Sequence, residues 1–354
     1  MNVLALVESP HHVCARYRVL AFRPALIRRG LSLQIQSLST NPVRRIAQLR
    51  DAARYDIVLL QRKLLPRWQL ALLRRAARRL VFDFDDAILY RDSFDPRGPH
   101  CPRRRRRFAA LMRSVDAVLA GNPFLGQLAV DHGLPAPRLT LIPTCIDCHR
   151  YHPKSAPSST PLTLVWIGSS STLQGLETSA PLWRRIGREV PGVRLRLVCD
   201  RFCRFDPLPV EPIPWSEAIE AAAVASADVG ISWLPDDLWS RGKCGLKLLQ
   251  YMAAGLPVVA NSVGVQTSLI THGQNGFLAH SDDDWINLLV ELTAHPDARQ
   301  RLGLNARRFV ERHYDLRAWE STFLDALTAS RPLPLRPHAI AASTPGPIPA
   351  GDRP

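Results

Sequence analysis

The chain has 354 residues, 46% of them hydrophobic, with 46 Lys+Arg against 31 Asp+Glu and a formal net charge of +15. That length suits two domains with sizeable cores, and no apolar run reaches the roughly 18 residues that would mark a membrane-spanning helix. Seven cysteines, odd in number and scattered, speak against a disulfide framework and for reduced thiols in a cytoplasmic protein.

Apolar runs alternating with amphipathic segments predict a doubly wound α/β protein. The first core strand falls at Val3–Val7, with no charged start of a signal peptide before it. Ser9-Pro10-His11-His12 follows as a loop, and a helix beginning near Ala15 carries Arg16, Tyr17 and Arg18. Histidines in such a loop can contact a ligand entering a cleft, or stand idle in solvent. Further strands are predicted at Leu33–Ile35, Ile57–Leu60, Leu80–Phe84, Ala117–Ala120 and Leu139–Ile142.

Arg74, Arg75, Arg78 and Arg79 lie on a predicted helix, and Arg103–Arg107 is a run of five. Residues 1–155 carry 27 Lys+Arg against 11 Asp+Glu, whereas residues 156–354 carry 19 against 20, so the basic excess belongs to the first half. Such a face suits an anionic membrane surface or is simply solvated. No RNP, zinc-finger or helix-turn-helix signature accompanies it, which ranks nucleic acid lower. Cys145-Ile-Asp-Cys148-His149 has the spelling of a haem-attachment site, and His152 adds a zinc-like set. Haem attachment needs export, and structural zinc needs a second distant pair or a roomier loop, so the structural reading is preferred.

Residues 153–161, rich in Pro and Ser, read as a linker. Strands resume at Leu162–Ile167, Leu195–Val198, Val229–Ser232, Val258–Ala260 and Gly276–Leu278, and residues 331–354 read as a disordered Pro-rich tail. Gly168, Ser169 and Ser170 follow a strand, where hydroxyls and amides can meet a phosphate. The densest signal is residues 241–260. Gly242 and Gly245 allow close backbone approach, Leu246–Ala254 reads as a helix, Gly255 ends it, and Pro257 blocks continuation. The start of that helix offers free N–H groups to an anion, and Lys247 and Gln250 share one face there.

This stretch resembles the C-terminal signature of retaining GT-B glycosyltransferases, glycosyltransferase family 4 in particular, written roughly E-G-F-G-L-x-x-L-E-A-M-A-A-G-x-P-V-V. Gly245, Leu246, Leu249, Met252, Ala253, Ala254, Gly255, Pro257, Val258 and Val259 match, while the two glutamates fall on Gly242 and Gln250. Asn275-Gly276-Phe277-Leu278 and Arg307–Glu311 before Tyr314 extend the resemblance.

The resemblance implies a GT-B fold of two Rossmann-like domains facing a cleft. The acceptor-side domain spans 1–152, and the donor domain with its closing helices spans 162–330. It implies sugar transfer from a nucleotide diphosphate sugar, as substrate and not cofactor, to a glycan or lipid-linked glycan such as a lipopolysaccharide, with retention and without metal. Gly168, Ser169, Ser170, Lys243, Cys244, Gly245, Leu246 and Gln250 would bind the donor, with Gln250 on the ribose. Lys247 would stabilise the leaving diphosphate. Asp85 would act on the acceptor, near His11, His12 and Asp86, and the enzyme would be cytoplasmic or peripheral at the inner membrane face. Three rivals stay open: an epimerase of the same fold, a metal-dependent GT-A enzyme using Asp83-Phe84-Asp85, and a non-catalytic binding protein with a degraded site.

Overall fold

The computed structural model describes residues 1–154 and 161–329. The tail expectation, and residues 155–160 of the expected linker, fall outside them.

Six parallel strands form the first sheet: β1 (Asn2–Val7), β2 (Ser32–Ser37), β3 (Ile57–Gln61), β4 (Arg79–Phe84), β5 (Ala117–Ala120) and β6 (Leu139–Leu141). They lie in the order β2-β1-β3-β4-β5-β6. The second sheet holds β7 (Leu162–Ile167), β8 (Val193–Cys199), β9 (Val210–Pro214), β10 (Val229–Ser232), β11 (Val258–Asn261) and β12 (Gly276–Ala279). Its order is β12-β11-β10-β7-β8-β9, again all parallel. Helices cover both faces, so β3 and β7 are buried along their whole length and are written as near-continuous apolar runs. In both sheets the order turns outward from a central strand, which opens a crevice at the strands' carboxyl ends.

Arg78 and Arg79, expected on one helix with Arg74 and Arg75, lie beyond its end at Ala76, and Arg79 opens β4. Two further features depart from the sequence expectation. The edge strand β9, Val-Glu-Pro-Ile-Pro, is not among the predicted strands, and two of its five residues are prolines, which cannot donate to a ladder. It pairs only with β8, and Trp215 N–H donates to Cys199 O. By alternation Pro212 and Pro214 face away from that ladder, so their missing N–H groups cost nothing. The second departure is the last helix, Leu316–Thr328. It was assigned with the donor domain, yet it packs on the first sheet. Trp319, Phe323, Leu324 and Leu327 are buried with Val3, Phe22 and Leu26, and the Phe22 and Phe323 rings stack at 4.1 Å. Arg79 donates to the carbonyls of Leu327 (2.8 Å) and Ala326 (3.0 Å) at the end of that helix, where a cation suits the dipole. Among the described residues no helix is long and apolar enough to cross a membrane.

Candidate active site

The carboxyl ends of both sheets face each other, and the loop 240–245 of the second half lies directly on the first. A Cβ on Gly242 would stand 2.6 Å from Ala87 N, so only glycine fits the approach. Gly245 adopts φ +71°, a left-handed turn that launches the helix Leu246–Ala253. Cys244 Sγ donates to Asp85 O (3.3 Å), and Ser240 Oγ meets Ser93 Oγ (3.2 Å). Lys243 Nζ reaches Asp86 Oδ1 at 2.9 Å and sits 4.8 Å from the Trp239 ring centroid. Lys247 points its Nζ over the Trp166 ring at 4.1 Å. Among the described residues no carboxylate lies within 4 Å of it. Burial, then the charge of Lys243, bring its pKa down to about 7.

On the first half's side of the cleft, Arg62 holds the acidic pair. It follows β3 in a left-handed conformation (φ +56°), rare for a residue with a side chain and fixed here by its N–H donating to Asp83 O (2.9 Å). Its guanidinium lies 2.6 Å from Asp86 Oδ2 and 3.5 Å from Asp85 Oδ1, and donates to Cys14 Sγ. Burial pushes the Asp85 carboxyl up, but Arg62 and Arg18 outweigh it and hold it below the usual carboxylate range. Asp85 therefore stays ionised. His12 Nδ1 accepts from Cys14 N (3.2 Å), which places the ring proton on Nε2; burial and Arg62 lower its pKa. His11 is exposed, its backbone N–H on Ser9 Oγ.

Asp83 is committed below the site. Arg18 donates to both its oxygens (2.6–3.3 Å), Gln61 donates to Oδ2, and all three residues are buried. The Asp83-Phe84-Asp85 spelling thus does not present two free carboxylates to a metal. Ligand atoms of Cys14, Asp85 and Asp86 do lie within 4.8 Å of one another, but the Arg62 guanidinium sits among them and supplies the positive charge. Cys145 and Cys148 are buried in packing; Cys145 donates to Pro143 O, and burial and Asp315 push the Cys148 thiol up to about 12.

Several expected donor contacts are spent elsewhere. The Ser170 amide (2.6 Å) and hydroxyl (2.8 Å) both donate to Asp200, so the chain's own carboxylate fills the anion position there. Ser169 caps the same helix, its hydroxyl 2.8 Å from Ser171 Oγ, while Gly168 packs on Trp166. Leu246 packs partly into the core. Gln250 is the clearest correction. It is buried, and its amide donates to Tyr17 OH (3.2 Å) and Tyr151 OH (3.0 Å), not toward a ribose. Those tyrosines belong to a seam between the halves. Glu220 accepts there from Arg16 (2.8 Å), Tyr17 (3.1 Å) and Trp215 (3.1 Å). Arg62, Glu220 and Asn122 carried no sequence motif. Only Asn122 had a local signal, an asparagine before proline at a helix start.

Comparison with known proteins bears on this geometry. Residues 163–295 match the family described as Glycosyl transferases group 1. D-inositol 3-phosphate glycosyltransferase of Gordonia bronchialis is 34% identical over 88 residues, 24% of this chain and 18% of that protein. The match thus spans less than a fifth of that relative's length. HepE of Anabaena, solved in complex with UDP and glucose, superposes with a TM-score of 0.66 at 16% identity, covering 92% of this chain and 99% of that one. Sucrose-phosphate synthase of Thermosynechococcus elongatus gives 0.69 at 16% identity, covering 92% and 97%. The chain has the GT-B fold, two facing doubly wound α/β domains.

Proposed function

We propose that this protein is a nucleotide-sugar-dependent glycosyltransferase, a hexosyl or related transferase moving sugar to a glycan or lipid-linked glycan. The observation that carries the reading is Lys247. Among the described residues it has no carboxylate partner, and it stands at the glycine-rich start of a helix, inside the family-matched segment, beside Lys243, which pairs with Asp86 of the first half at 2.9 Å.

As the bond to the sugar breaks, negative charge grows on the departing diphosphate. The amides of residues 245–247, Lys247 and Lys243 would meet that charge without reorganising, an electrostatic form of catalysis. Lys243 must first leave Asp86. Asp85, kept ionised by Arg62, would orient the acceptor hydroxyl or take its proton. These cations do the work a divalent metal does elsewhere, so turnover is expected to survive a chelator. UDP, present in the HepE structure, is the first nucleotide to test.

A membrane-docking face is also proposed. Arg103–Arg106 are exposed on the helix Pro102–Met112, and on the neighbouring helix Arg67–Ala76 so are Arg67, Arg75 and Trp68, the last 56% exposed. Arg74 and Arg79 drop out of this face. Asp116 holds the first at 2.6 Å, and the end of the last helix holds the second.

The test is release of free nucleoside diphosphate from UDP-, GDP-, ADP- and dTDP-sugars, with and without acceptor glycan and with chelator. Acceptor-dependent release that survives chelation is the expected result. Conversion of the donor sugar without transfer would mean an epimerase, and binding without turnover a binding protein.

A further inference from the structure

We propose that Asn122 is a positioning residue that sets the donor loop from across the cleft, so that a side chain of the first half holds the backbone of the donor site in the second. The proposal rests on the donor reading above. Asn122 follows β5 and is 5% exposed. Its Oδ1 accepts from Leu125 N–H at 2.8 Å and caps the helix Pro123–Asp131.

That bond orients the amide and leaves Nδ2 facing the second domain. There it donates to Lys243 O (3.0 Å), with Arg241 O at 3.4 Å and Cys244 Sγ at 3.8 Å. Serine, threonine and aspartate cap a helix about as well as asparagine, so capping has no use for the amide nitrogen. The nitrogen's work is on the loop.

Lys243 is consequently held by the first domain at both ends, its carbonyl by Asn122 and its ammonium by Asp86 at 2.9 Å. The two ties differ in kind. A donor diphosphate competes for the ammonium, because it offers more negative charge than one carboxylate already shared with Arg62. It does not compete for the carbonyl. Donor entry thus swings the Lys243 side chain from Asp86 to the phosphates while Asn122 keeps the backbone in place, and Asp86 is released on the acceptor side.

The experiment uses the full chain with Asn122→Ser and Asn122→Asp. Both keep a capping oxygen; the first loses the reach to the loop, and the second turns an acceptor toward Lys243 O. Amide hydrogen exchange over 241–247 should accelerate about tenfold, the worth of one ordinary hydrogen bond, with residues 123–131 unchanged. The Kd of UDP, or of whichever of GDP, ADP and dTDP the wild type binds, should weaken by a similar factor. A purely structural cap would instead move residues 123–131 and the melting temperature together. Wild-type loop exchange and wild-type nucleotide affinity in Asn122→Ser would overturn the proposal. If the wild type binds none of these nucleotides while the variant's loop still exchanges faster, the tether stands and the donor reading fails.

Discussion

Lys247 stands half-buried over Trp166, near Lys243, with its pKa brought down to about 7 by burial and by that second cation. A diphosphate beside it would favour the charged form and pull the pKa back up. The bound state therefore holds more protons than the free state above pH 7, and by linkage donor affinity falls as pH rises from there. Calorimetry at pH 8 in two buffers of different ionisation heat should show uptake approaching one proton per nucleotide bound, lost in Lys247→Arg, which is charged throughout. Equal observed heats in the two buffers for the wild type would remove Lys247 from the phosphates. The lysine and its glycine loop were legible in the sequence because the signal is local, two glycines and a helix start within a few residues. Arg62 was not, because its partners Cys14, Asp85 and Asp86 come from two other strand ends. Gln250 misled for the same reason. Its place on the helix was readable, but the tyrosines that claim it lie 233 and 99 residues away.

At the scale of elements, eleven of the twelve strands were readable from apolar runs, because a parallel sheet covered on both faces writes itself as Val, Leu and Ile. The exception, β9, sits at an edge, where the sequence is free to place prolines. The last helix was readable as a helix but not as to which sheet it joins, since an amphipathic face does not name its partner. Phe323 decides it. The ring is buried and stacked on Phe22 at 4.1 Å with a 4° interplanar angle. Phe323→Ala should lower unfolding free energy by about 3–5 kcal/mol in denaturant titration, the usual cost of emptying a buried aromatic site. A loss below about 1 kcal/mol would mean the helix is only loosely seated on the first domain.

At the scale of the whole molecule, the two halves are unlike in charge, and the basic one is the half proposed to take the acceptor. Much of the arginine excess is internal to the fold. Arg18 pairs with buried Asp83, Arg62 with Asp85 and Asp86, Arg74 with Asp116, and Arg79 caps a helix end. What remains outward is the Arg103–Arg106 face beside Trp68, an aromatic ring suited to the headgroup level. At about 1 kcal/mol per basic residue near an anionic leaflet, four arginines give useful but reversible docking. That energy is screened over about 8 Å at physiological ionic strength. The expected outcome is cosedimentation with anionic liposomes, lost when salt is raised to about three times physiological and lost in Arg103→Glu/Arg106→Glu. Trp68→Ala should weaken docking without changing its salt dependence, because it removes apolar contact and no charge. Binding to neutral and anionic liposomes alike, or to neither, would leave these arginines as a solvated face, and the acceptor would then have to reach the cleft from solution.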